Sequence, residues 1–169
     1  MGLFEGVILG IFSLNSVDRL LRVTLATIFI LPVVLSVMAP LVQTFLGYPH
    51  GESTYRLLSP ICHQYPTRSL WITGRPLALC TRCFSGYLGV SIASLLVFSS
   101  KRFFVRVTYG LLLLMPAVLD GMLQLNTSYE SVNAVRVLTG FAGGMGVFLA
   151  TYPLRSRSSL NHLMKGVKT

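Results

Sequence analysis

Charge is scarce in this chain: of 169 residues five are Asp or Glu, and all charged residues together make up 11%, against roughly 25% in a soluble domain. A surface this poor in charge excludes a water-soluble globule, and 53% hydrophobic residues with a mean hydropathy of +0.68 place the chain in a bilayer. The 14 basic residues lie between apolar runs rather than along one stripe, which argues against a nucleic-acid surface. Internal repeats and low-complexity segments are missing. So are a phosphate-cradling glycine loop, a nucleophile elbow and a His-Glu-x-x-His helix.

A cleaved signal peptide is not indicated, because residues 1–13 have no basic n-region and include Glu5. Their large residues Leu3, Phe4, Val7, Ile8, Ile11 and Phe12 share one helical face, which predicts an interfacial helix over residues 1–15. Four longer apolar runs follow, at 23–45, 83–100, 107–125 and 134–154. Each approaches the roughly 20 residues that a spanning helix needs. The expected architecture is therefore all-α: one membrane domain over 1–169, a bundle of four transmembrane helices with a long loop at 47–82. Pro32 and Pro40 inside the first run predict a bent helix. Glycines in the second run (Gly86, Gly89) and the fourth (Gly140, Gly143, Gly144, Gly146) predict that these two spans approach closely at the bundle centre.

Basic residues set the orientation. Arg19, Arg22, Lys101, Arg102, Arg106, Arg155, Arg157, Lys165 and Lys168 fall on one side, and Arg56, Arg68, Arg75, Arg82 and Arg136 on the other. The richer side is cytoplasmic, so both termini are expected in the cytoplasm and the loop outside, in the cytoplasmic membrane of a prokaryote. The aromatic residues of the loop, Tyr48, Tyr55, Tyr65 and Trp71, read first as anchors at headgroup level.

Two constellations carry chemistry. Cys62-His63 and Cys80-x-x-Cys83 supply the ligands of a tetrahedral Cys3His site, with a spacing found in two-knuckle zinc sites. Zinc is the expected metal and iron the alternative. The same cysteines admit two other readings: a clamp that only pins the loop, and a thiol redox pair in which Arg82 and a helix N-terminus stabilise the Cys80 and Cys83 thiolates. In the second reading the chain resembles the quinone-reducing DsbB-type membrane oxidoreductases, which implies a quinone as cofactor. It departs from them because only Cys62 remains where they carry a second disulfide. The other constellation is Asp120 and Arg136, expected to pair between the third and fourth spans with Gln124 one turn away. A small ion or solute transporter, more plausible as a homodimer than as a thin four-span monomer, is the alternative built on that pair.

In order along the chain, Cys62-His63-Gln64-x-Pro66-x-Arg68-Ser69, Cys80-x-Arg82-Cys83-x-x-Gly86-Tyr87-x-Gly89, Pro116-x-x-x-Asp120-Gly121-x-x-Gln124 and Glu130-Ser131-x-Asn133-x-x-Arg136-x-x-Thr139-Gly140 resemble a family of small bacterial and archaeal membrane proteins known only as a domain of unknown function. The resemblance brings no activity. It implies that the thiols act together with a polar pocket or second layer of Gln64, Arg68, Arg82, Asp120, Gln124, Asn133 and Arg136, next to the lipid bilayer and at its outer face. The topology is open to test with an impermeant thiol reagent on intact cells. Cysteine introduced at Ser53 should label above the parent chain and cysteine at Ser158 should not; the opposite result inverts the orientation.

Overall fold

The computed structural model describes residues 16–48, 50–96 and 103–152. The expected interfacial helix at 1–15, the end of the second apolar run and the basic tail lie outside them. In chain order the elements are α1 (Ser16–Phe45), α2 (Glu52–Leu58), a short 3-10 turn (Pro66–Arg68), β1 (Ser69–Ile72), β2 (Arg75–Cys80), α3 (Thr81–Leu96), α4 (Phe103–Asn126) and α5 (Asn133–Thr151).

The chain is mostly helical but not all-α. The segment expected to be a loop folds into α2 and a two-stranded antiparallel sheet. Its turn is Thr73-Gly74, both residues at positive φ (53° and 75°) between the paired Ile72 and Arg75. This is the backbone of a two-residue hairpin turn whose twist matches that of its strands. Strand β2 then runs into the bundle, with Leu77, Ala78 and Leu79 buried in succession. On its free edge the Leu79 N–H donates to the Ser36 hydroxyl of α1 at 2.9 Å, which gives that buried donor an acceptor.

Among the described residues three helices are long and apolar enough to cross a membrane: Arg19–Phe45, Val107–Asn126 and Asn133–Thr151. The expected count of four stands at three here, because α3 has 16 described residues, which at 1.5 Å each give about 24 Å against the ~30 Å of a hydrocarbon core. Helix α1 starts before the apolar run and contains both Pro32 and Pro40. Arg22, Ala26, Val33, Ser36, Pro40 and Gln43 recur along it at steps of three, four and seven residues and are buried. Leu20, Ile28, Leu31, Val34 and Met38 face outward, as befits a helix solvated by lipid on one side.

The helices line up as α1, α3, α5, α4, with α3 and α5 in the middle. Glycine makes that middle contact. A Cβ on Gly144 would run into the Gly86 carbonyl oxygen, and one on Gly89 into the backbone of Phe141. On the other side of α5, a Cβ on Gly146 would lie 2.5 Å from the Gly110 oxygen of α4. Serines tie the same helices together: the Ser85 hydroxyl donates to the Arg136 carbonyl at 3.2 Å and the Ser91 hydroxyl to the Ala26 carbonyl at 3.0 Å. Small residues and hydroxyl donors are what helix pairs use in lipid, where apolar surface gives no preference for a neighbouring helix over acyl chains.

Gly144→Ala should therefore force the backbones of α3 and α5 apart and lower stability in detergent by about 1–3 kcal/mol. Gly121→Ala, where an added Cβ meets nothing within 4 Å, should be neutral or stabilising by up to about 1 kcal/mol. Thermal unfolding of the two variants side by side checks this, and equal losses would show that the glycine contact is not tight.

Candidate metal centre and polar cavity

Cys62 lies in the apolar cluster of Ala39, Leu58, Ala78 and Leu79, beneath α2. Cys80 ends β2 and Cys83 sits in the first turn of α3. Strand and helix thus deliver two thiols and the turn after α2 the third. The three Sγ atoms lie within 4.8 Å of one another. Three thiolates around one zinc at 2.3 Å stand about 3.8 Å apart, so side-chain adjustments of about 1 Å close the set. A disulfide would need two of these sulfurs and give no reason for the third.

Backbone geometry favours negative charge on Cys62. Its Sγ accepts the Cys80 N–H at 3.1 Å and the Gln64 N–H at 3.5 Å. The second bond depends on Gln64 taking a positive φ of 55°, which curls the chain back around the sulfur. The Gln64 side chain fixes that curl by donating to the Tyr55 carbonyl at 2.7 Å. Donation from the Cys80 and Cys83 thiols, helped by those two N–H groups, holds the Cys62 thiol far below its ordinary pKa despite its burial. Cys80 is pushed up, first because its proton is shared with Cys62. The trio behaves as an acid cluster sharing its protons, the state a divalent cation displaces.

His63 does not join the three sulfurs. It is exposed, its ring set edge-on to Tyr65 with centroids 6.0 Å apart at the rim of the cavity. In this irregular segment Cys62 takes the inner side and His63 the outer one.

The sulfurs form one wall of a cavity of about 320 Å³. Arg68, Arg82, Gln124 and Arg136 line the rest, so residues from the hairpin region and the ends of three helices share one volume. Asp120 does not pair with Arg136 as expected. Its carboxylate binds the Arg82 guanidinium, which also donates to the Gln124 amide oxygen at 3.2 Å and the Ser131 hydroxyl at 3.4 Å. Arg136 instead donates to the Ser131 hydroxyl and the Asn133 amide oxygen, both at 3.1 Å. Arg82 starts α3 across from the end of α4 and reaches its carboxylate, whereas Arg136 folds back on the start of its own helix. The transporter alternative loses the pair on which it was built. Asn133 further donates to the Ser69 carbonyl at 3.5 Å, and Arg68 pairs with Glu130 at 3.3 Å over the Tyr65 ring. Ser131, between the two arginines, was not among the expected site residues. Its signal was its place in the Glu130-Ser131-x-Asn133 motif.

The Arg82–Asp120 pair makes an asymmetric prediction. Asp120 is 6% exposed and Arg82 31%, so Arg82→Gln strands a buried carboxylate and should cost about 3 kcal/mol or more. Asp120→Asn leaves Arg82 its two neutral acceptors and should cost less, and the double variant should recover part of the larger loss. Unfolding of the three variants in detergent measures this order; a double variant no more stable than Arg82→Gln rejects the coupling.

Comparison with known proteins follows the site closely. An uncharacterized protein of Methanocaldococcus jannaschii is 36% identical over 104 residues, covering 59% of this chain and 67% of the relative. An uncharacterized protein of Methanothermobacter thermautotrophicus is 35% identical over 97 residues, covering 56% of this chain and 87% of the relative. No solved structure matches the chain. Residues 62–150, over half of the chain and beginning at the first cysteine of the cluster, match the family described as predicted membrane protein (DUF2085): this chain belongs to that family.

Proposed function

We propose that this chain is an integral membrane metalloprotein that holds one metal ion, zinc by preference and iron as the alternative, on Cys62, Cys80 and Cys83. The observation that carries this reading is the convergence of three sulfurs from three chain segments, with two backbone N–H groups aimed at one of them. Backbone donors around a cysteine sulfur stabilise the thiolate, which is the form that binds metal. Three protein ligands leave a fourth position. His63 fills it when its ring swings off Tyr65, and otherwise it opens to the cavity. The pocket of Arg68, Arg82, Gln124 and Arg136, backed by Asp120 and Asn133, tunes the metal by orienting what lies beside it. Gln64 acts one step further out, by holding the turn around Cys62.

In this reading the second apolar run, 83–100, is a fourth span. Both termini face the cytoplasm and the metal faces outward, on the side with fewer basic residues. The site then lies where α1 and α4 finish and α3 and α5 begin, at the outer end of the bundle.

Detergent-purified protein should carry about one equivalent of zinc or iron by elemental analysis. Cys80→Ser and Cys83→Ser should abolish it, and His63→Ala should weaken retention against a chelator. Metal-free protein with a Cys80–Cys83 disulfide and a free Cys62 thiol by mass spectrometry would overturn the metal reading in favour of thiol redox with a quinone.

A further inference from the structure

The cavity beside the sulfurs holds more positive charge and more donors than the protein's own acceptors satisfy. Of its three guanidiniums, Arg68 is paired with Glu130 and Arg82 with Asp120. Arg136 is 5% exposed, and its hydrogen bonds run to two neutral oxygens, of Ser131 and Asn133. Among the described residues no carboxylate lies within ion-pair distance of it. Two further buried donors, Arg82 Nε and Gln124 Nε2, have no acceptor, the neighbouring sulfurs included. Unmet donors thus come from α3 and α4 beside a cation from α5, all three residues lining the same volume. Leaving a guanidinium buried without a counter-charge and two donors unbonded is costly, and the cost falls when an oxyanion enters.

We propose that this cavity binds a phosphate group, with Arg136 as its counter-charge and Arg82 Nε and Gln124 Nε2 as flanking donors. A tetrahedral oxyanion suits donors arriving from three helices better than a planar carboxylate, which favours two parallel bonds from one guanidinium. The volume, about 320 Å³, is at the small end of ligand pockets, about 300–1,000 Å³. It admits the phosphate of a lipid headgroup or of a free phosphate compound, which share this chemistry. The site rests on its donors and not on the metal, so the two readings fail separately.

The test uses the full chain in detergent, with inorganic phosphate as probe, titrated calorimetrically at constant ionic strength, and native mass spectrometry for retained phosphatidylglycerol. Saturable binding of about one phosphate per chain, weakened roughly tenfold to a hundredfold by Arg136→Gln, supports the proposal with a free phosphate as source. One phosphatidylglycerol retained by the wild type and lost in Arg136→Gln supports it with a lipid as source. Gln124→Met, which keeps the side-chain volume, should weaken whichever ligand binds severalfold. Metal content measured on the wild-type samples reads the metal separately from the phosphate. The proposal is overturned if the wild type takes up neither probe, or if both variants hold the probe as tightly as the wild type.

Discussion

The structure turns on one hydrogen bond between a helix and a strand, from the Leu79 N–H to the Ser36 hydroxyl. A strand driven into an apolar bundle needs partners along both edges, because an unpaired buried backbone group costs a free energy comparable to a lost hydrogen bond. Strand β1 covers one edge and Ser36 meets the other. Proline favours the same place, since Pro40 has no N–H for the Ser36 carbonyl and loosens α1 one turn beyond. With β2 fixed, Cys80 is fixed at its end, its N–H reaches Cys62 Sγ, and α3 must begin at Thr81. The thiol cluster is thus a consequence of how the hairpin docks against α1.

Part of this was legible in the sequence. Long apolar runs are a property of composition, and the runs at 23–45, 107–125 and 134–154 reappear as Arg19–Phe45, Val107–Asn126 and Asn133–Thr151. The glycines placed α3 beside α5, because a missing Cβ is itself a statement about close approach. The hairpin left a weaker trace. Leu77, Ala78 and Leu79 are buried one after another, so β2 shows no alternation of apolar and polar residues, and Thr73-Gly74 is a weaker turn signal than Asn-Gly. Residue spacing put Arg82, Asp120, Gln124 and Arg136 at one level of the bundle. It did not decide which arginine meets Asp120, because that depends on the rotation of each helix about its axis. For the thiols, the ligand set favoured His63 as a fourth partner, but the direction of each side chain in an irregular segment is set by backbone angles that residue types do not reveal.

The close contact of α3 with α5 has a chemical consequence beyond packing. A Cβ on Gly140 would lie 2.6 Å from the Arg82 carbonyl, and Ser85 bonds the Arg136 carbonyl. The first turns of the two helices are therefore locked side by side, each carrying an arginine. Larger residues at the glycines would part the helices and separate the two guanidiniums that now share a wall of the cavity.

Helix direction then fixes the sign of the cavity's field. Helices α3 and α5 both begin there, so their positive dipole ends add to the arginines, and α4 ends there with the negative end of its dipole. Asp120 lies towards the end of α4, and 6% exposed it has little water to solvate its charge. It is tolerated because Arg82, from the start of α3, neutralises it. Once that pair is closed, Arg136 remains with two neutral oxygens as its hydrogen-bond partners. Such a field favours an anion over a neutral ligand in the space between the helices. The thiols and the arginines line one cavity because α3 carries Arg82 and Cys83 in one turn and packs its start against that of α5, which carries Arg136.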